Sequence, residues 1–347
     1  MSTTNPDSTL TALTAELAQA TPPEGVTHVG ILAVKTANRT IIDAAARPNP
    51  RDLYLSLWYE GEVCCLFADS NIGKSIFAVQ MAEEIARTAK VLYLDCELSD
   101  KQFQLRYCDK NTGARHIFPD NLLRAEIRPE AIDPKTYEES IIRDIEAAAL
   151  NFGASIIIVD NLTYLCNSSE KGDVAGLFMM KLLDLKKRHN MSILIIAHTP
   201  KRNMANPITQ NDLAGSKKLY NFFDSVIAIG QSAKDQSIKY VKQVKVRAGE
   251  YRYGSDNVIS CEIVSDGGYV HFAMNGFAAE RDHLRQPEDG EIKQEEINVV
   301  ELHRSGKSIR EIAAELGLSK SKVGRIVQKA QQTLGTAEES NEDQEED

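Results

Sequence analysis

Short runs of consecutive apolar residues alternate with stretches of helical period from about residue 51 to residue 280, and the organisation of the chain follows from that alternation. Residues 63–67, 91–94, 155–159 and 192–196 are apolar almost throughout, which predicts strands buried on both faces of a sheet. Helical spacing fills the gaps, around residues 75–88, 135–150 and 174–189. Such alternation predicts an α/β domain with a mostly parallel central sheet covered on both sides. Past Asp224 the text changes. Residues 226–229, residues 238–247 and a hairpin around Asp266-Gly267-Gly268 predict antiparallel strands that extend the sheet.

The flanks read differently. Residues 1–50 form a polar, irregular arm or linker with one amphipathic helix over 8–20, carried by Leu10, Leu13, Leu17 and Ala20 and ended by Pro22-Pro23. That helix is either a loosely docked arm or a linker that packs on a neighbouring subunit. Residues 281–293, charged and holding Pro287 and Gly290, predict a linker. A small all-α unit follows over 294–331, then an acidic, disordered tail over 332–347. The 347 residues suit one large core with a small appendage. Net charge is −10, but the last ten residues carry seven acids and no base, so the body without them stands at −3 and leaves room for local basic patches. Six cysteines without metal spacing suit a reducing, cytoplasmic setting. No secretory signal and no apolar run near membrane-spanning length is present in the sequence.

Chemistry enters at Ala68-Asp69-Ser70-Asn71-Ile72-Gly73-Lys74-Ser75, between the first apolar run and a helical pattern. Strand, tight loop, Gly-Lys-Ser and helix is the layout of a phosphate-binding P-loop. Ser70, Asn71, Ile72, Gly73, Lys74, Ser75 and Ile76 are the expected nucleoside triphosphate contacts, because loop amides and a helix N-terminus favour anions. Lys74 adds a mobile positive charge, and the Ser75 hydroxyl is placed to ligate Mg²⁺. Ala68 stands where glycine is usual, so the turn must avoid positive φ there.

Two further strands end in acids. The second ends in Asp95-Cys96-Glu97, and carboxylates at that end of a parallel sheet face the ligand crevice. Either Glu97 or Asp95 can serve as base for the attacking water; a cap on the following helix is the plainer role. Residues 156–161, Ile-Ile-Ile-Val-Asp-Asn, form a Walker B pattern in which Asp160 holds Mg²⁺. The next strand brings His198 beside the γ-phosphate region, where a polar side chain can sense phosphate loss.

These residues resemble the RecA-like hexameric ATPases, specifically the DnaB-type and plasmid RepA-type helicases, over about residues 55–265. Glu97-Leu98-Ser99 with Gln102 and Arg106 matches the Glu-Met-Ser, Gln and Arg spacing of that group, which favours Glu97 as base. His198 falls where the group has Gln or His. Asp212 to Ser216 and Asp224-Ser225-Val226 look like its later landmarks, and Lys245-Val246-Arg247-Ala248-Gly249 is similar to its Lys-x-Arg-Asn-Gly, with Ala248 in place of Asn. The resemblance implies ATP and Mg²⁺ as cofactors, a homo-hexamer, and Lys245 and Arg247 reaching a neighbour's γ-phosphate. It also implies single-stranded DNA in a channel, contacted by loops; Lys201 and Arg202 lie on one of them. The alternative for Lys245 and Arg247 is an exposed strand salt bridge, and for the basic loops a solvated surface.

Residues 308–326 resemble a resolvase- or sigma-type helix-turn-helix. Ser308 and Glu311 have capping-box spacing, Gly317 permits a sharp turn, and Ser319 can cap the second helix. Lys320, Lys322 and Arg325, with Ser321, Gln328 and Lys329, would then face duplex DNA; a protein-docking module is the alternative. The sequence thus predicts a RecA-like P-loop ATPase, read first as a RepA-like replicative helicase of a plasmid or mobile element. An ATP-switched DNA-binding regulator or partition-like protein and a recombination-type DNA-coating ATPase remain open.

Overall fold

A computed structural model describes residues 25–134, 136–162, 172–199, 202–213, 217–285, 294–328 and Ala330. Its strands are β1 Thr27–Val29, β2 Leu32–Val34, β3 Asp52–Tyr54, β4 Trp58–Tyr59, β5 Val63–Ala68, β6 Val91–Asp95, β7 Leu122–Ala125, β8 Ile156–Asp160, β9 Ser192–His198, β10 Ser225–Gln231, β11 Ile238–Lys245, β12 Val258–Asp266 and β13 Tyr269–Ala278. Nine of them form one sheet in the order β13-β12-β11-β10-β5-β9-β8-β6-β7. Strands β10 through β7 in that order run parallel, and β11, β12 and β13 are antiparallel. The mixed sheet, parallel at its centre with an antiparallel extension, is the α/β architecture that the alternation predicted.

Burial explains why the central strands read so clearly. β5, β6 and β8 are buried at every position, so both faces had to be apolar. One face packs on helices Tyr137–Phe152 and Gly172–His189, through Ile141, Ile145, Leu182 and Leu185. The other packs on the P-loop helix Lys74–Ala86, through Phe77, Met81 and Ile85. The β12–β13 hairpin lies against that same helix. Gln80 donates to the Phe272 carbonyl and accepts from its N–H, at 3.1 and 2.7 Å. Its two-residue turn is Gly267-Gly268, with φ of 54° and 91°, the geometry that hairpin twist requires.

Three expectations need correction. Residues 25–50 are not irregular: β1 and β2 pair as a hairpin and helix Ala37–Ala45 follows, capped by Thr36. None of these elements has a buried residue, so there was no core periodicity to read, and Ile31, Ile41 and Ile42 stand exposed. The helix expected over 8–20 lies outside the described residues. Strand β7 was not predicted, because Leu122-Leu123-Arg124-Ala125 is short, half-buried and interrupted by an arginine at the sheet edge. The linker expected from residue 281 starts late, since His283 and Leu284 are buried and the Ala233 N–H donates to the His283 carbonyl at 2.7 Å.

The C-terminal unit comprises helices Gln294–Arg304, Ile309–Glu315 and 320–328. Val299, Ile312, Ala313, Val323 and Val327 form its core, with Leu316, Leu318 and Ile326 packed against them. Ser308 and Glu311 make the reciprocal capping box, Gly317 takes φ +64°, and the Lys322 N–H donates to the Ser319 hydroxyl. Among the described residues no helix is long and apolar enough to cross a membrane. The described cysteines are free thiols.

Candidate nucleotide site and its two sheet ends

The P-loop leaves β5 at Ala68 and turns through Asn71 (φ 62°) and Gly73 (φ 103°) into the helix that starts at Lys74. Asparagine tolerates the left-handed region. Gly73 has no substitute, because a Cβ there would lie 2.7 Å from Ile263 Cδ1 and 3.1 Å from two Phe272 ring atoms. The β12–β13 hairpin thus closes against the loop. Lys74 is buried, and its ammonium donates to the carbonyls of Ala68 and Asp69 at 2.9 and 3.0 Å. Burial lowers its pKa, while Asp160, Glu97 and Asp69 nearby work the other way.

Asp160 closes β8 next to β6, with Asp95 opposite it. Its Oδ2 accepts from the buried Tyr93 hydroxyl at 2.9 Å. Burial pushes its carboxyl up to about 6, against hydrogen bonds from Ser75 and Tyr93, with Glu97 and Asp95 adding to the rise. A carboxylate and a hydroxyl in contact, each with oxygen donors and beside a phosphate-type loop, fit Mg²⁺. Asn161 follows. Its amide donates to Glu97 Oε1 and lies 3.0 Å from His198 Nε2, and His198 Nε2 is 3.8 Å from Glu97 Oε1. Burial and the Lys74 charge depress the His198 pKa, with Glu97 opposing, so the ring is neutral near pH 7.

The two candidate bases separate here. Asp95 is buried and fully engaged: Oδ1 accepts from the N–H groups of Glu97 and Leu98, and Oδ2 from Arg124 at 3.0 Å. Glu97 is more open and faces Asn161 and His198. The structure therefore brings Lys74, Ser75, Asp160, Glu97 and His198 to one end of the sheet. Asn161, Tyr93 and Arg124 were missed. The position of Asn161 directly after Asp160 was the available signal, whereas Tyr93 and Arg124 lie on neighbouring strands and needed the sheet order.

Lys245 and Arg247 sit elsewhere. Lys245 pairs with Val226, level with Cys65, so both residues lie toward the opposite end of β5 from Ala68. Three residues of strand separate those levels, roughly 10 Å. Lys245 donates to the Tyr220 carbonyl at 3.1 Å and lies over the Tyr220 ring. Arg247 donates to Asp224 Oδ1 at 2.7 Å yet remains 55% exposed along its side chain. Asp224 also accepts from Lys186 (2.6 Å) and from the Val63 N–H (3.0 Å).

Of the DNA-facing expectations, Lys201 lies outside the described residues. Arg202 is corrected: only 7% of its side chain is exposed, and it donates to the Asn206 carbonyl at 3.0 Å and to the Tyr240 hydroxyl at 3.3 Å. A buried cation so engaged is not a solvated surface charge. Lys320, Lys322 and Arg325 are exposed on the last helix.

Fold and site together define an α/β domain with a P-loop at the carboxyl end of its central parallel strands. Residues 33–204 match a family model described as "AAA domain". The chain is similar to the DNA repair protein RadA of Streptococcus pneumoniae, 24% identical over 217 residues, covering 60% of this chain and 44% of RadA. The RadA of Streptococcus pyogenes serotype M1 is 25% identical over 215 residues, covering 60% and 41%. The chain thus spans less than half the length of these relatives. Among solved structures it is similar to the KaiC-like protein PH0186 of Pyrococcus horikoshii, at 11% identity and a TM-score of 0.44, covering 62% of this chain and 91% of that one.

Proposed function

We propose that this chain is an ATP-hydrolysing, DNA-associated motor whose active sites are shared between copies in a ring, read as a homo-hexamer. The observation that carries this is the separation of its cations: Lys74 is at the nucleotide end, whereas Lys245 and the half-exposed Arg247 are at the other end of the same sheet. The distance of Arg247 from its own P-loop supports a role toward a neighbour's.

The proposed chemistry uses few groups. Lys74 exchanges its two loop carbonyls for β- and γ-oxygens, a charge-assisted contact stronger than either carbonyl bond. Glu97 takes a proton from the water that attacks the γ-phosphorus, and the bond to the β-phosphate oxygen breaks, releasing ADP and phosphate. Asn161 ties Glu97 to His198, so phosphate loss at His198 is felt at the base. Ser75 and Asp160 would hold Mg²⁺, which when bound would supply positive charge to offset that of the phosphates.

The finer reading is a RepA-like replicative helicase of a plasmid or mobile element, tracking single-stranded DNA. Its C-terminal unit would address duplex DNA through Lys320, Lys322 and Arg325. The similarity to proteins named for DNA repair favours a second reading, a recombination-type ATPase. Steady-state ATP hydrolysis with and without single strands, with Lys74→Ala as the blank, tests the motor. Stimulation together with displacement of a strand from a forked duplex supports the helicase. Stimulation without displacement supports the recombination-type ATPase. Hydrolysis indifferent to single strands rejects both and leaves an ATP-switched regulator.

A further inference from the structure

Arg202 and the P-loop share a partner. Asp69, the second residue of the loop, holds Lys74 by its backbone carbonyl and presents its carboxylate to the segment that follows β9. Oδ1 accepts from the Thr199 hydroxyl at 2.7 Å, and Oδ2 lies 3.6 Å from Arg202 Nε. The other donors of Arg202 hold Asn206 O and Tyr240 Oη. Further along, the Ile208 N–H donates to Glu280 Oε1 at 2.7 Å, and Lys242 donates both to the Ile208 carbonyl and to Glu280. Tyr240, Lys242 and Glu280 are all buried, so the end of the segment near Ile208 is fixed to the sheet. At its start, Arg202 ties the segment to the P-loop.

Resting on the nucleotide reading of the P-loop, we infer that Asp69 is a positioning residue that couples nucleotide occupancy to the placement of residues 202–213. A triphosphate draws Lys74 away from the Asp69 carbonyl and brings negative charge to the loop. Both changes make the surroundings of Arg202 more negative, and the guanidinium is drawn inward. The contact at 3.6 Å is longer than a charge-assisted hydrogen bond, so there is distance left to close. Because the same guanidinium holds Asn206 and Tyr240, the segment tightens with it. The segment between Arg202 and Ile208 thereby follows the nucleotide through a pair of opposite charges, separate from the Glu97–Asn161–His198 contacts.

Hydrogen exchange on the full chain tests this, with a non-hydrolysable ATP analogue and Mg²⁺ at saturation. Occupancy is established for each variant by displacement of a fluorescent ADP. In the native chain the analogue slows exchange across 203–213 by about five-fold or more. Asp69→Asn and Arg202→Gln abolish that slowing at full occupancy, while Asp69→Glu retains it and exchange in the central strands stays unchanged as the folding control. Equal slowing in Asp69→Asn and the native chain overturns the coupling, as does an occupied native site with no slowing. Failure of the native chain to bind the analogue overturns the nucleotide reading itself, and the coupling with it.

Discussion

The two ends of the central sheet hold comparable charges under different constraints. At the nucleotide end Glu97 and His198 are each 37% exposed, and they touch through one asparagine. Lys74 rests on backbone carbonyls, which are weak partners for an ammonium ion. At the other end Asp224 is 11% exposed along its side chain and accepts from two cations and a backbone N–H. One end can rearrange around a ligand at little cost, while the other is a rigid mount from which Arg247 projects. On the proposed reading, function is divided between a site that rearranges and a platform that aims Arg247.

Arg247→Ala should break the comparison most sharply. Hydrolysis by the assembled protein is expected to fall about 10³-fold, the scale of a missing arginine finger, with analogue binding retained. Mixing Arg247→Ala with Lys74→Ala chains should restore part of the activity, because each supplies what its neighbour lacks. No recovery on mixing would return Arg247 to a structural salt bridge. Next, Glu97→Gln should lower single-turnover hydrolysis by about 10²-fold or more while nucleotide stays bound. An equal loss from Asp95→Asn with an intact fold would contradict the assignment of the base.

Stability separates the two ends further. Asp224→Ala leaves the Val63 N–H and Lys186 without their acceptor and should cost about 3 kcal/mol in urea unfolding. Its pKa also gives a direction. Burial opposes the charge of Asp224, but hydrogen bonds from Lys186 and the Val63 N–H, with the Lys186 and Arg247 charges, hold the carboxyl below its ordinary value. A group depressed in the folded state stabilises above its unfolded pKa, near about 4, and that contribution is lost as pH falls through the lower folded value. Acid melts of the native chain should steepen there, and Asp224→Asn should lack that component. Tyr93→Phe should have the smallest effect, about 1 kcal/mol by thermal melting, since it removes a single hydroxyl from Asp160.

How much of this the sequence could show depended on burial. Strands β5, β6, β8 and β9 were legible because solvent exclusion on both faces forces apolar side chains at nearly every position. Edge strand β7 and the exposed hairpin of β1 and β2 carry no such constraint, so the pattern does not show them. The P-loop was legible for a different reason. Phosphate binding needs a small residue, a cation and a hydroxyl at fixed spacing within one turn, so the whole requirement is local.

The sequence by itself therefore determined the class of fold, the P-loop, the acids at the strand ends and the capping signals of the C-terminal helices. Tertiary structure alone decided which of Asp95 and Glu97 stays open, because Asp95 is held by Arg124, 29 residues away along the chain. It decided that Arg202 is buried against Tyr240, since exposure depends on what packs on a residue and not on its neighbours in sequence. It also decided that Arg247 lies at the opposite end of the sheet from its own P-loop. That follows from the antiparallel pairing of β11 with β10, which carries the chain back along the sheet toward the arginine.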